Sequence, residues 1–268
     1  MRFFGGKTAL ITGASSGLGA DFARQLAAEG AHLILVARRL DRLKALQREI
    51  QAQHDIEITL LTMDLARPEA AEALYEQTES SGLIVDILIN NAGFGIAGDF
   101  TDIDSRRELD MLTLNMLTPT RLSKLYGRDM VVRGQGHILL VASMLAFQPT
   151  PTLSTYAASK AYVQSFGEAI AFELQPHGVS VTVLSPGGVA TEFAEVAGQQ
   201  LSIVHERALM PSPEVVAAAL NALQAGDPLV VPGIINQMGA FANRLIPRRL
   251  APRMMDWVLR STVRKSSV

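Results

Sequence analysis

The chain has 268 residues, 48% of them apolar and 19% charged, which suffices for a large buried core and excludes intrinsic disorder as its main state. Its 24 Lys+Arg oppose 26 Asp+Glu for a net charge of −2, so no global positive field exists to hold a polyanion, and nucleic acid is excluded as the main ligand. The count of zero cysteines excludes disulfides, thiolate metal sites and a cysteine nucleophile.

The first strand is expected at 8–13 (TALITG), so near the start that no signal-peptide segment fits ahead of it, and a cytoplasmic protein is expected. A helix at 20–29 follows. Further β-branched, apolar runs lie at 31–38, 56–65, 85–92, 136–143 and 180–186, with 229–233 as a seventh. None approaches the roughly 18 apolar residues that span a bilayer. The runs are almost continuously hydrophobic, which means both faces of each strand are covered, and the segments between them are long enough for helical crossovers. The pattern predicts an α/β fold: one doubly wound, Rossmann-type parallel sheet of about seven strands with helices on both faces. That domain is expected over residues 1–233, and 234–268 form a basic amphipathic C-terminal extension.

The turn after the first strand reads Thr12-Gly13-Ala14-Ser15-Ser16-Gly17-Leu18-Gly19. Its glycines permit a tight turn, let backbone N–H groups reach a pyrophosphate at the positive helix N-terminus, and allow close helix-to-strand packing. Residues 13–17 also match the G-x-S-x-G nucleophile elbow, which would make Ser15 a hydrolase nucleophile. An elbow belongs deeper in a sheet, however, and neither His177 nor His205 is marked as its partner. The second strand ends LVARR. A dinucleotide site specific for NAD needs a carboxylate near Ala37; Arg38 and Arg39 stand there instead, and a guanidinium can hold a 2′-phosphate through paired donors, so NADP is favoured. The five histidines show no ligand spacing, and no metal is expected.

Tyr156 and Lys160 are four apart in STYAASKAYVQSF and would share one helix face. A free phenol titrates near 10; a cation about 4 Å away in an effective dielectric of about 20 supplies roughly 4 kcal/mol, enough to bring it near 7. Ser143, at the end of a buried strand, can turn its hydroxyl toward the same crevice. With these residues in view, the chain resembles the short-chain dehydrogenase/reductases with a TGxxxGxG turn, across about residues 7 to 233. The resemblance rests on that turn, on Asp64-Leu65 after the third strand and Asn90-Asn91-Ala92-Gly93 after the fourth. It also rests on Asn115, Ser143, the YAASK of Tyr156 and Lys160, and Pro186-Gly187 ahead of Val189 and Thr191. It implies a catalytic set of Asn115, Ser143, Tyr156 and Lys160, with Asn115 organising a water that links Lys160 to solvent. It implies further that Asp64 and Leu65 meet the adenine, that Asn91, Ala92 and Gly93 line the cofactor, and that Pro186, Gly187, Val189 and Thr191 hold the nicotinamide. Homo-oligomers are usual in that family.

The expected activity is reversible hydride transfer between NADP(H) and a small-molecule carbonyl/secondary alcohol pair, with substrate identity set by the loop after Gly93, by 144–155 and by a lid at 192–210. Phe193, Val196, Leu201, Ile203 and Val204 in that lid lean toward a lipophilic substrate. An NADP-binding redox sensor with little turnover is the alternative, and the complete set of catalytic residues argues against it. Residues 241–268 hold seven basic side chains against the single acid Asp256, a local +6 that leaves −8 on the rest. Ile234, Met238, Phe241 and Leu245 fall on one helical stripe, with Met254, Trp257 and Val258 on a second. The tail therefore suits peripheral contact with an anionic membrane, cover over the substrate pocket, or packing on a neighbouring subunit.

Overall fold

The computed structural model describes residues 2–198, 209–243 and 245–262. Seven strands form a single sheet: β1 (Thr8–Thr12), β2 (His32–Ala37), β3 (Ile58–Thr62), β4 (Ile87–Asn90), β5 (Gly136–Val141), β6 (Val179–Leu184) and β7 (Leu229–Val230). Their order is β3-β2-β1-β4-β5-β6-β7 and every pairing is parallel. Expected strands β3, β4 and β7 are shorter than the apolar runs that announced them. The ends of those runs have left the ladder to form loops, and at the carboxyl edge those loops build the site.

Helices α1 (Gly17–Ala28), α2 (Leu40–Gln51) and α8 (Ser212–Ala225) pack with one face of the sheet; α3 (Ala70–Ser80), α5 (Thr118–Arg133) and α6 (Ser154–Leu174) pack with the other. Alternate β1 side chains divide between them: Ala9 and Ile11 enter the core with Phe22, Leu26 and Val215, while Leu10 enters the core with Leu74, Leu122 and Val163. Phe22 has no exposed surface, and truncating such a ring to alanine costs about 3–5 kcal/mol. The short α4 (Ser105–Leu112) runs into α5 through a π-helical turn, Thr113–Leu117. Such single wide turns sit preferentially at functional positions, and this one carries Asn115.

The strand order reverses between β1 and β4, which opens the crevice where ligands of such sheets bind. Near it lie α7 (Phe193–Val196) and two C-terminal helices, α9 (Ile234–Ala242) and α10 (Ala251–Thr262). The tail folds back on the main domain: the Gln148 amide nitrogen lies 2.7 Å from Met255 Sδ, and a Cβ on Gly187 would stand 2.6 Å from Asn236 Oδ1. No helix among the described residues is long and apolar enough to cross a membrane.

Candidate active site

The glycine turn owes its shape to close approach. Gly13 has φ +69°, and a Cβ there would stand 2.9 Å from Ala92 Cα; a Cβ on Gly19 would collide with the Gly13 carbonyl oxygen and lie 2.6 Å from Asn91 Nδ2. Thr12 clasps this turn to the loop after β4. Its hydroxyl accepts from the amides of Asn91 and Ala92, each at 3.0 Å, and donates to the Ile89 carbonyl at 3.2 Å. Asn91 Nδ2 answers by donating to the carbonyls of Thr12 at 2.9 Å and Gly13 at 3.3 Å. The Asn91 carboxamide is therefore a brace for the turn.

At the end of β2 Arg38 is exposed, and Arg39 reaches back over the turn. Arg39 Nη2 donates to Ser16 Oγ at 2.9 Å and to Ser15 Oγ at 3.1 Å. The Ser15 hydroxyl thus faces a guanidinium, which cannot take a proton, and among the described residues no base is hydrogen-bonded to it; His205 lies outside them. Two guanidiniums, those of Arg39 and Arg42, converge on Glu192. The residues present fit a dinucleotide: a glycine turn where a Cβ would collide, a helix N-terminus behind it, then hydroxyls and cations after β2.

On the next strands Ser143 follows β5, and its Oγ accepts from the Leu145 amide at 3.1 Å. Tyr156 and Lys160, one turn apart on α6, are both buried. The Tyr156 hydroxyl hydrogen-bonds Ser143; burial pushes the phenol well above its ordinary value, and that bond only partly offsets it. Lys160 Nζ lies 5.8 Å from the Tyr156 ring centre and donates to the Val141 carbonyl at 2.8 Å. Burial pushes its ammonium down to about 8. Burial thus acts on the phenol against the lowering expected from the lysine charge.

Asn115 is buried on the π turn, where its amide grips the neighbouring loop: Oδ1 accepts from Phe94 N at 3.2 Å, and Nδ2 donates to Phe94 O at 3.0 Å and Ser159 Oγ at 3.1 Å. It meets Lys160 across Gly93, whose Cβ would lie 2.8 Å from Asn115 Oδ1 and 3.4 Å from Lys160 Nζ. Before α6, Thr152 holds φ +63°, a strained conformation for a β-branched residue, and its carbonyl accepts from Gly98 N at 2.9 Å.

The remaining expected residues line the rim. Leu18 packs on the α1 side of the core. Asp64 Oδ1 accepts from the Ala66 amide at 3.2 Å, while the carbonyl of buried Leu65 accepts from Thr118 at 2.7 Å. Pro186 O accepts from Met144 N at 2.8 Å, Gly187 abuts the Asn236 side chain, and Val189 bridges Met210. The Thr191 methyl lies 3.1 Å from the Cβ position of Gly17, and its hydroxyl accepts from Phe193 N at 3.3 Å. Of the expected lid, residues 199–208, including Leu201, Ile203 and Val204, lie outside the described residues. Phe193 is described and packs on Tyr156 with ring centres 5.3 Å apart, in an apolar cluster with Phe94, Ile96, Leu145 and Leu153. Among the described residues no three His, Cys, Asp or Glu side chains converge as metal ligands.

The short chain dehydrogenase family model matches residues 7–202. A very-long-chain 3-oxoacyl-CoA reductase of Pyrenophora tritici-repentis is 37% identical over 213 residues, 78% of this chain and 60% of the relative. The chain thus spans about three fifths of the length of that curated relative. A short-chain dehydrogenase from Sphingobium yanoikuyae, solved in complex with NADPH, superposes with a TM-score of 0.81 at 30% identity, covering 98% of both chains. A Burkholderia phymatum short chain dehydrogenase/reductase solved with NAD shares the fold, with a TM-score of 0.79 at 23% identity over 90% of this chain and 94% of that one. Matched by the family model over most of its length, the chain belongs to the short-chain dehydrogenase/reductase family.

Proposed function

We propose that the protein is an NADP(H)-dependent oxidoreductase of the cytoplasm that interconverts a carbonyl and a secondary alcohol on a lipophilic substrate. The observation that carries this reading is the buried Tyr156 hydroxyl, hydrogen-bonded to Ser143 and set one helical turn from Lys160, at the sheet edge that also holds the glycine turn. When bound, the cofactor supplies the hydride. The chain's own residues handle the proton. With its phenol raised, Tyr156 holds its proton at rest, as an acid for the carbonyl oxygen must. Ser143 shares a hydrogen bond with that oxygen and orients the carbonyl. Lys160, one turn away, steadies the phenolate left after proton transfer, and its ammonium would bind the nicotinamide ribose. Asn115 holds the 93–94 backbone against α6, and a water beside it links Lys160 to solvent.

Arg38 and Arg39 with Ser15 and Ser16 support NADP over NAD, since they place cations and hydroxyls where a carboxylate would otherwise hold the ribose. The backbone from Thr12 through Gly13, Gly17, Leu18 and Gly19 would bind the pyrophosphate, Asp64 and Leu65 the adenine, Ala92 and Gly93 the ribose, and Pro186, Gly187, Val189 and Thr191 the carboxamide. The apolar cluster around Tyr156 supports a lipophilic substrate, and the Pyrenophora relative's name adds 3-oxoacyl thioesters to the simple ketones worth testing. Residues 1–233 form the catalytic domain, and the tail from 234 walls the substrate side through α9 and the Gln148–Met255 contact. Ile235 and Phe241 remain 85% and 63% exposed on a tail of basic composition, which supports peripheral contact with an anionic membrane surface. Exposed Leu109, Leu117 and Phe172 on and between α4 and α6 support a homo-oligomer.

The test is NADPH oxidation followed by absorbance against a panel of ketones and 3-oxoacyl thioesters. Wild type should turn over, and Tyr156→Phe should lose at least about a hundredfold in rate while folding and binding NADPH normally. An active Tyr156→Phe enzyme would end the proposed mechanism; a chain that binds NADPH but reduces nothing on the panel would favour the sensor reading.

A further inference from the structure

Glu192 follows Thr191 and opens the segment that covers the site. Its Oε1 lies 2.6 Å from Arg42 Nη1 and its Oε2 3.4 Å from Arg39 Nη1, while Arg39 also holds the Ser15 and Ser16 hydroxyls. Arg39 caps the start of α2 and Arg42 sits in its first turn, two cations at the end of a helix that is already positive. A carboxylate from 150 residues away pairs with both cations, and the two arginines, Arg42 foremost, lower its proton affinity. Two guanidiniums on one anion, one of them also holding two serine hydroxyls, offer the paired donors that recognise a phosphate.

The anchored residue is also next to Phe193, whose ring packs on Tyr156 and whose Cζ would stand 2.8 Å from a Cβ on Gly95. The short helix it starts is tied at its far end to the loop after β4, where Ala97 N donates to Ala197 O at 3.0 Å and Arg107 donates to Val196 O at 2.8 Å. The strap thus starts at the arginines beside the glycine turn, lays Phe193 on Tyr156 at its first residue, and is fastened at its far end to Ala97 and Arg107.

We propose that Glu192 is an internal stand-in for the cofactor's 2′-phosphate: it competes for Arg39 and Arg42, and its displacement by a phosphorylated adenosine lets Phe193 leave Tyr156. This rests on the NADP reading and adds to it a residue that both tunes cofactor selectivity and makes cofactor binding the event that uncovers the substrate site. The exchange is easy, because all three side chains are 42% to 43% exposed and ion pairs so solvated are weak, whereas the incoming phosphate is doubly charged.

The test compares wild type with Glu192→Gln by calorimetric titration of adenosine 2′,5′-bisphosphate and of 5′-AMP, without turnover. The variant should bind the bisphosphate about threefold tighter, a gain that shrinks as salt rises, and bind 5′-AMP unchanged. In kinetics with a ketone, Glu192→Gln should raise kcat/KM with NADH, where wild type keeps its strap closed, and leave kcat/KM for the ketone unchanged at saturating NADPH. A merely structural role would lower both. If wild type prefers the bisphosphate yet Glu192→Gln binds it no tighter, the stand-in is refuted and the NADP reading survives. If wild type binds the two nucleotides equally, both fall together.

Discussion

Replacing Lys160 by methionine should abolish turnover and, at neutral pH, relieve the folded chain of a charge it holds at a loss. The ammonium is pushed from 10.5 down to about 8 by burial, a gap of about 2.5 pH units. Between those pH values the unfolded chain binds a proton that the folded site has released, so stability rises with pH across that window and is lower by the full amount below pH 8. At 1.36 kcal/mol per pH unit the full amount is about 3 kcal/mol. Methionine fills nearly the same volume but leaves the Val141 carbonyl, now bonded by Lys160 at 2.8 Å, without that donor, a penalty of about 1–3 kcal/mol. That penalty does not vary with pH, so the difference between the two proteins isolates the charge. Urea unfolding at pH 7 and pH 9.5 should show wild type gaining about 2 kcal/mol relative to Lys160→Met over the interval. A difference in stability that stays constant across those pH values would refute the argument, whatever its sign at pH 7.

Thr12→Val keeps the shape of the side chain but strands the amides of Asn91 and Ala92, and it should cost about 2–4 kcal/mol in chemical denaturation and weaken NADPH binding with it. Thr152→Gly releases a left-handed conformation at φ +63° and should raise stability by about 1 kcal/mol, visible as a higher thermal midpoint. His137, packed against Phe3 and Phe4, is pushed from 6.5 to about 4 chiefly by burial, with Lys7 adding to the effect. Its folded form binds fewer protons than the unfolded chain in that window, so wild type should lose up to about 2 kcal/mol by pH 5 that His137→Gln retains; superimposable acid transitions would sink this assignment.

The strands and the glycine turn were legible because their signals are local: apolar runs covered on both faces, and three glycines at the spacing a tight strand-to-helix turn needs. Tyr156 and Lys160 were legible for the same reason, lying one turn apart on one helix. What the sequence hid depends on direction or distance. Arg38 and Arg39 are equivalent as letters, and only the point at which α2 begins turns the second over the glycine turn and leaves the first at the surface. The partnership of Arg42 with Glu192 joins residues 150 apart, beyond any local pattern. The burial that acts on Tyr156 and Lys160 was not legible either, because it is a property of the whole fold and spacing along a helix carries no measure of it. The tail's apolar stripe was visible, but not its return to Gln148, which needs the turn after α9 to be known.

The double clasp between Thr12 and Asn91 has a consequence for anyone who would give this protein a new specificity. Reciprocal bonds make the β1 turn and the first residues after β4 a single rigid piece, shared between cofactor and substrate. Loop grafts that begin at Asn91 would loosen the grip on the dinucleotide along with the substrate pocket, and their failures would look like poor cofactor affinity. Splicing only beyond Gly95, where the chain leaves that piece and meets Phe193, would alter the pocket while keeping the nucleotide cradle whole.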